Sequence, residues 1–150
     1  MKIIATNRKA YHDYTVFENF TAGIELYGTE VKSARDNGVS LDGGYATVDN
    51  GEVYLYDINI APYRSGNIFN RDPKRKRRLL LNKDEIRRLY GKVRERGFTL
   101  IPMKFFFSDR GWAKIELALC KGKKLYDKRE ELKRRAIERS DRIEEKRRHR

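Results

Sequence analysis

The stretch 99-TLIPMKFFFSDRGWAKIELALC-120 carries the pattern that decides the fold class. In its second half, apolar residues occupy every other position from Ala113 to Leu119, which is the two-residue period of a half-buried β-strand. The segment Ser108–Gly111 contains the Asp and Gly residues that are typical of turns. The sequence therefore predicts an antiparallel hairpin, with one strand at Thr99–Phe107 and the next beginning at Ala113.

A second hairpin is predicted upstream, around Asn50-Gly51. Asn-Gly suits the positive φ angles of a tight turn, and here it separates two apolar-rich segments, Tyr45–Val48 and Val53–Ile60. Two further strands are predicted at Tyr14–Phe20 and Gly23–Gly28.

Helical signals are found in two segments. Asn82 is suited to cap a helix, Glu85 follows three residues later, and Gly97 is expected to end it. The apolar positions of this helix are Ile86, Leu89, Tyr90 and Val93. A shorter helix is predicted over Val31–Asp36. Short antiparallel strands with two inserted helices predict a mainly β fold, an OB-type antiparallel barrel over residues 1–121.

Charge separates the last part of the chain from the barrel. The 150 residues carry a formal net charge of +13, and residues 121–150 hold 14 Lys and Arg against 7 Asp and Glu. Acids precede bases by four residues, as in Glu130 with Arg134 and Glu138 with Arg142, which is the favoured order on a helix. Apolar residues are too few to hold this segment against a core. We therefore predict that residues 122–150 form a basic tail that is disordered when free and helical when bound to a polyanion.

Several classes of protein are disfavoured. No apolar run approaches the ~20 residues of a membrane span, and the first residues lack a secretory signal pattern. Cys120 is the single cysteine, so no internal disulfide can form. Glycine motifs for phosphates are absent, and so is a set of metal ligands with recognisable spacing. We expect a soluble, cytoplasmic protein with no membrane attachment, cofactor, metal or catalytic residues.

The run Pro73-Lys74-Arg75-Lys76-Arg77-Arg78 places five cations in a row. Phosphate binding is the favoured interpretation, because anions relieve the repulsion between neighbouring cations. A solvated surface loop is the second interpretation, and a nuclear import signal is the third.

Other polar and aromatic residues have ordinary structural explanations. Tyr54, Tyr56 and Tyr63 could stack on bases, but packing within a sheet is preferred. His12 next to Asp13 is better explained as a polar residue ahead of a strand than as an acid–base pair. Cys120 is interpreted as a small buried apolar residue.

Short motifs along nearly the whole chain resemble those of the SsrA-binding protein family, also called small protein B. They are Asn7-Arg8-Lys9-Ala10, Ala22-Gly23-Ile24, Gly28-Thr29-Glu30-Val31-Lys32-Ser33, Tyr45-Ala46, Ile60-Ala61-Pro62-Tyr63, Phe69-Asn70, Asp72-Pro73 with the basic run to Leu79-Leu80-Leu81, Gly97-Phe98-Thr99-Leu100-Ile101-Pro102, Gly122-Lys123-Lys124 and Asp127-Lys128-Arg129. The resemblance implies an OB-type barrel that binds the tRNA-like domain of transfer-messenger RNA (tmRNA) and enters stalled ribosomes with it. It disfavours the import signal, since the family is bacterial.

The resemblance also implies which residues meet which partner. Together with the basic run, it predicts RNA contacts by Asn7, Thr21, Glu30, Lys32, Ser33, Arg75, Arg77, Leu80 and Lys114. The tail residues implied to enter the decoding centre and the vacant mRNA channel of the small ribosomal subunit are Lys121, Gly122, Lys123, Lys124, Tyr126, Asp127, Lys128 and Arg129. Elongation factor Tu and alanyl-tRNA synthetase are implied as indirect partners, through the charged tmRNA. Thr21 departs from the family, where Glu is common.

Three alternatives stay open at this point. A basic OB-type module of a ribosomal or initiation-type protein would share the charge and the barrel. A nuclease using Asp and Glu around a divalent metal is less favoured. A general single-strand binder would show a steep dependence of affinity on salt.

Overall fold

The computed structural model describes residues 1–64, 70–95 and 97–123. The strands are β1 (Lys2–Thr6), β2 (Tyr14–Ile24), β3 (Val39–Ser40), β4 (Tyr45–Asp49), β5 (Glu52–Tyr56), β6 (Asn59–Ile60), β7 (Arg77–Leu80), β8 (Thr99–Phe107) and β9 (Ala113–Gly122). The helices are α1 (Arg8–Asp13), α2 (Gly28–Arg35) and α3 (Lys83–Val93).

Six antiparallel strands close into a barrel. Their order is β8-β4-β5-β7-β2-β9, and β9 pairs again with β8, which completes the ring. The other edge of β8 is shared, since Leu100 pairs with Ala46 of β4 while the segment from Lys104 to Phe107 pairs with β1. The prediction of a mainly β protein with an OB-type antiparallel barrel is confirmed.

Both predicted hairpins are present. β8 spans the predicted residues, and β9 continues to Gly122. The β4–β5 turn places Asn50 at φ 51° and Gly51 at φ 76°, in the left-handed region that this pair of residues tolerates. The second strand of this hairpin is shorter than predicted, because Asp57 has φ 60° and interrupts it. Asn59 and Ile60 pair instead with β3, in a separate two-stranded sheet.

The prediction of two strands at Tyr14–Phe20 and Gly23–Gly28 is wrong. β2 runs without a break from Tyr14 to Ile24, and Gly28 is the first residue of α2. The strand continues through Ala22 and Gly23 because both of its edges are paired there, to β9 along its length and to β7 at its end.

The helices begin where the sequence predicts or slightly earlier. The side chain of Asn82 accepts a hydrogen bond of 2.8 Å from the Glu85 backbone N–H and caps α3, as expected. α3 ends at Val93, before the predicted end at Gly97. α2 begins three residues earlier than expected, at Gly28, and the short helix α1 was not predicted.

The core fills the barrel. The fully buried strand residues that line it include Val53, Leu55, Leu79, Leu100, Phe105, Ile115 and Leu117. Ile86 and Leu89 of α3 belong to the same cluster. A smaller cluster beneath α1 contains Met103, Ala118 and Cys120, so Cys120 is buried as predicted. Among the described residues, no helix has the length and apolar character needed to cross a membrane.

Candidate nucleic-acid interface

Three predicted RNA-contacting residues lie side by side on the outer surface of the barrel. Gly23 of β2 pairs with Lys114 of β9 on one side and with Leu80 of β7 on the other. Directly paired residues of antiparallel strands point to the same face, so Lys114 and Leu80 share this face. Thr21, two residues before Gly23, is exposed on it as well. We call the surface formed by Thr21, Gly23, Leu80 and Lys114 the barrel face.

Glycine at position 23 leaves room for the side chain of Leu80 to pack over β2. A Cβ atom added to Gly23 would lie 3.2 Å from the Cβ of Leu80, which is tighter than ordinary contact. Leu80 is 47% exposed and offers an apolar contact surface on this face. The barrel face therefore combines a cation, a hydroxyl and an apolar contact surface.

The outer surface continues from β7 onto β5. Arg78 pairs with Tyr54, so these two side chains point to the same face of the sheet. Leu80, two residues after Arg78 in β7, points to that face as well. The ammonium of Lys76 lies 4.3 Å from the centroid of the Tyr54 ring. Tyr56 of β5 stacks on Tyr45 of β4, with ring centroids 5.3 Å apart. Tyr54 and Tyr56 pack within the sheet, which is the interpretation preferred from the sequence, whereas Tyr63 lies in the loop after β6 and not in a strand.

Glu30 is the centre of a buried ionic network beside this surface. Its side chain is 4% exposed. The carboxylate accepts hydrogen bonds from Arg75 Nε at 3.1 and 3.2 Å, and from Arg77 Nε at 2.8 Å. It also accepts from the backbone N–H of Tyr27 at 2.9 Å, which joins the start of α2 to the network. A buried carboxylate with this many donors is strongly held in its charged form.

Burial and hydrogen bonding have opposite effects on the pKa of Glu30. Burial alone would raise this pKa. Hydrogen bonds from Arg75, Tyr27 and Arg77, with the positive charge of Arg77, outweigh burial and keep the pKa below its ordinary value. Glu30 is therefore ionised at neutral pH, opposite two guanidinium groups.

The five cations of the basic run are not equivalent. Arg75 and Arg77 form ion pairs with Glu30, and Arg78 Nε lies 3.1 Å from a Glu52 carboxylate oxygen. Among the described residues, Lys74 and Lys76 make no ion pair and are exposed. The lysines are thus the cations of this run that a phosphate can reach without competing with a carboxylate.

Arg77 is fully buried, and its guanidinium holds the loop that precedes β7. Besides Glu30, it donates hydrogen bonds to the carbonyl oxygens of Pro73, Arg75 and Ile58, at 3.0, 3.1 and 3.4 Å. Its side chain has no surface on which RNA could bind. In this conformation Arg77 positions the segment that carries Lys74 and Lys76.

Two other predicted contact residues are also inside the protein. Asn7 is 3% exposed and donates hydrogen bonds to the carbonyl oxygens of Leu41 and Pro102, at 3.3 and 3.0 Å. Its side-chain oxygen accepts from Ala10 N–H and caps α1. Ser33 is 4% exposed and packs so closely against Gly38 that a Cβ atom there would lie 2.4 Å from its Oγ. These side chains fix the backbone around the surface.

Lys32 lies on the exposed side of α2. Its ammonium is 5.7 Å from the centroid of the Tyr63 ring. The backbone of Tyr63 is held by the side chain of Asn70, which accepts from the Tyr63 N–H and donates to its carbonyl oxygen, both at 2.9 Å. The loop after β6 is thus tied to the residues that precede the basic run.

The start of the predicted tail is only partly described. Lys121 and Gly122 belong to β9, and the ammonium of Lys121 lies 4.3 Å from the centroid of the Phe98 ring. Lys123 is exposed. Lys124, Tyr126, Asp127, Lys128 and Arg129 lie outside the described residues, and their roles stay predictions.

Other polar groups do not form a recognisable site. His12 Nδ1 lies 3.0 Å from Asp13 Oδ1, and the imidazole is exposed on α1 rather than directed into a pocket. Within residues 1–64, 70–95 and 97–123, no three His, Cys, Asp or Glu side chains come together as metal ligands. The barrel face, together with the neighbouring cations and aromatic rings described above, is therefore the candidate site.

The fold and this surface define the class of the protein, a small basic OB-type barrel protein. The sequence model of the SmpB protein family matches residues 4–147. The chain is 55% identical over 139 residues to an SsrA-binding protein of Thermosipho africanus, covering 93% of each chain. It is 59% identical over 138 residues to an SsrA-binding protein of Caldicellulosiruptor bescii, covering 92% of this chain and 87% of that relative.

A solved structure is similar as well. It is described as "tmRNA-SmpB: a journey to the center of the bacterial ribosome", and its matching chain superposes with a TM-score of 0.70 at 50% identity. The match covers 82% of this chain and 85% of the other. The protein belongs to the SsrA-binding protein family, as the motifs in its sequence indicate.

Proposed function

We propose that this protein binds the tRNA-like domain of tmRNA and delivers it to stalled ribosomes, where the incomplete product is tagged and released. The proposal is supported by membership in the SsrA-binding protein family and by similarity to a chain from a tmRNA-SmpB structure. The observation that carries it is the barrel face, where Lys114, Gly23 and Leu80 align across three strands.

The barrel face suits recognition of a folded RNA by shape. Structured RNA offers phosphates, 2′-hydroxyls and the bases of its loops, and a rigid surface with cations and apolar patches can match them. Lys114 and Lys32 would bind phosphates, while Leu80 would pack against a base or sugar. The buried network of Glu30, Arg75 and Arg77 keeps the adjoining loop rigid, so less entropy is lost when RNA binds.

We also propose that the C-terminal tail senses a vacant mRNA channel. A basic segment that becomes helical only inside the channel would be excluded sterically when mRNA occupies it. The residues assigned to this step in the decoding centre of the small subunit are Lys121, Gly122, Lys123, Lys124, Tyr126, Asp127, Lys128 and Arg129. In this scheme alanyl-tRNA synthetase charges the tmRNA with alanine and elongation factor Tu binds the charged form in the cytoplasm, and the protein itself binds without catalysing a reaction.

Copurification tests the RNA partner. The tagged protein is isolated from bacteria, its bound RNA is sequenced, and binding to the tRNA-like domain is measured against an excess of bulk tRNA. We expect enrichment of tmRNA and resistance to competition. Equal displacement by bulk tRNA would instead favour a general basic OB-type module.

Separate variants test the division between barrel and tail. Replacing Lys32 and Lys114 with Ala should weaken RNA binding, whereas replacing Lys123 and Lys124 should leave RNA affinity nearly unchanged and abolish tagging on stalled ribosomes. Lys83, an exposed lysine in the first turn of α3, provides a control substitution. Loss of RNA affinity in the Lys123 and Lys124 variant would contradict the assignment of ribosome sensing to the tail.

A further inference from the structure

Tyr27, at the start of α2, is an exposed aromatic residue surrounded by arginines. Its side chain is 49% exposed. The guanidinium carbon of Arg71 lies 4.0 Å from the centroid of the ring, and that of Arg75 lies 4.7 Å from it. Both distances are within the range of cation–π attraction. The Tyr27 ring is therefore half exposed at the surface and lies within cation–π distance of two arginines.

The two arginines differ in what neutralises them. Arg75 shares its single Nε–H between the two oxygens of the buried Glu30 carboxylate and is committed to the ionic network. Arg71 is exposed and makes no ion pair with any described residue. Its planar guanidinium can bind the oxygens of a phosphate in bidentate geometry. Arg71 is thus a cation oriented by an aromatic ring and available to an anion.

The side chain of Tyr27 is not needed for the fold of α2. Its backbone N–H donates to Glu30, and its backbone carbonyl accepts from the N–H groups of Glu30 and Val31 at 3.0 and 3.1 Å. Any residue except proline can make these bonds at position 27. A Cβ atom added at the next residue, Gly28, would meet nothing within 4 Å, so the first residue of α2 borders open space.

The position of this pair links it to the other predicted contacts. Lys32 of α2 and Tyr63 of the loop after β6 form a second pair of cation and aromatic ring. Alternating aromatic rings and cations are the arrangement that proteins use for unpaired nucleotides, with bases stacked on rings and phosphates bound by cations.

We propose that Tyr27 and Arg71 form a binding site for one unpaired nucleotide of the bound RNA, with the base on the Tyr27 ring and a phosphate on the Arg71 guanidinium. This inference rests on the proposed RNA-binding function and extends it to residues that the sequence motifs did not indicate. Glu30 acts as a positioning residue for the site, since it fixes Arg75 against the same ring.

The test measures the affinity of the full-length protein for a transcript of the tRNA-like domain of tmRNA. Tyr27→Ala should weaken binding about 5- to 150-fold, the range for loss of one stacked base, while Tyr27→Phe should retain most of the affinity. Arg71→Ala should lower the magnitude of the slope of log affinity against log salt by about 0.7 to 0.9, the loss of one phosphate contact. Arg71→Lys should keep the slope but bind more weakly than the parent.

α3 provides a matched control. Tyr90 is also 49% exposed, and the guanidinium carbon of Arg94 lies 5.3 Å from its ring centroid. Tyr90→Ala and Arg94→Ala should leave affinity and salt slope unchanged. Thermal unfolding of each variant checks that the fold is intact.

The outcomes separate this inference from the function on which it rests. If the parent protein does not bind the transcript, the proposed function is wrong. If the parent binds and the Tyr27 and Arg71 variants match it in affinity and slope, the nucleotide site is wrong while the function stands. Equal losses in the Tyr27 and Tyr90 variants would also overturn the site, because the effect would then not depend on location.

Discussion

Arg77 donates a hydrogen bond of 2.8 Å to Glu30, and both side chains are almost completely buried. Arg75 shares the same carboxylate, so the removal of one negative charge leaves two guanidinium groups without their counterion. Breaking a buried ion pair by removing one partner costs about 3–5 kcal/mol, much more than the loss of a surface pair.

We therefore expect Glu30→Gln to lower the free energy of unfolding by about 3 kcal/mol or more, as measured by urea denaturation. Glu52→Gln, which removes the exposed partner of Arg78, is the matched control and should cost at most about 1 kcal/mol. Similar losses in the two variants would show that the Glu30 network contributes no more than a surface ion pair.

The depressed pKa of Glu30 determines how stability depends on pH. The folded pKa lies below the ordinary value of 4.5, so the unfolded chain takes up a proton more readily. The stabilising contribution is complete above about pH 4.5 and is lost as the pH falls through the lower folded pKa. The difference in unfolding free energy between the parent and Glu30→Gln should shrink below pH 4.5, and a difference that stays constant down to the acid transition would contradict this prediction.

Cys120 should resist modification in the folded protein. Burial raises the pKa of its thiol to about 12, and the reactive species is the thiolate. Iodoacetamide at pH 8 should label the native protein far more slowly than the urea-unfolded chain, as followed by mass spectrometry. Labelling at similar rates in the two states would mean that β9 opens readily around Cys120.

Glycine 91 offers a stabilising substitution. It lies inside α3, and an added Cβ would meet nothing within 4 Å. Gly91→Ala should raise the unfolding free energy by about 1 kcal/mol, because alanine loses less backbone entropy in a helix. Gly44→Ala is the contrasting variant, since its Cβ would lie 2.5 Å from Ile58 Cγ2, and it should destabilise by about 1–3 kcal/mol. A destabilised Gly91→Ala variant would show that α3 packs differently.

Trp112 is the single tryptophan of the chain and is 67% exposed in the turn between β8 and β9. It lies two residues before Lys114 of the barrel face, so its fluorescence should change when RNA binds there. We expect saturable quenching on titration with the tRNA-like domain, and Trp112→Phe is the control that removes the signal. Unchanged emission at saturating RNA would place this turn outside the interface.

The strands that alternate clearly were predictable from the sequence. Apolar residues alternate from Ala113 to Leu119 in β9 and a turn precedes this strand, while the Asn50-Gly51 turn can adopt the required φ angles without strain. β2 was divided wrongly at Thr21 and Ala22, and alanine has low strand propensity. Pairing on both edges of that strand, a property of the whole barrel, overrides the local preference.

Part of the candidate site was predictable, and part depends on contacts between distant residues. Thr21, Leu80 and Lys114 were identified, and the barrel brings them together. Arg77 and Leu79 are two residues apart in β7, so their side chains both point inward. The alternation in the sequence could therefore have indicated that Arg77 is buried. The contact between Tyr27 and Arg71 was not predictable, because it forms only when the loop before β7 folds onto the start of α2.

The double pairing of β9, with β2 on one side and β8 on the other, also affects the order of folding. β9 is the last strand of the barrel to be synthesised, and its partner β2 is among the first. During translation the early strands therefore wait with an unpaired edge until residues 113–122 are available, and the closing step joins distant parts of the chain. Chaperones that cover strand edges would act in this interval, before the last hairpin completes the ring.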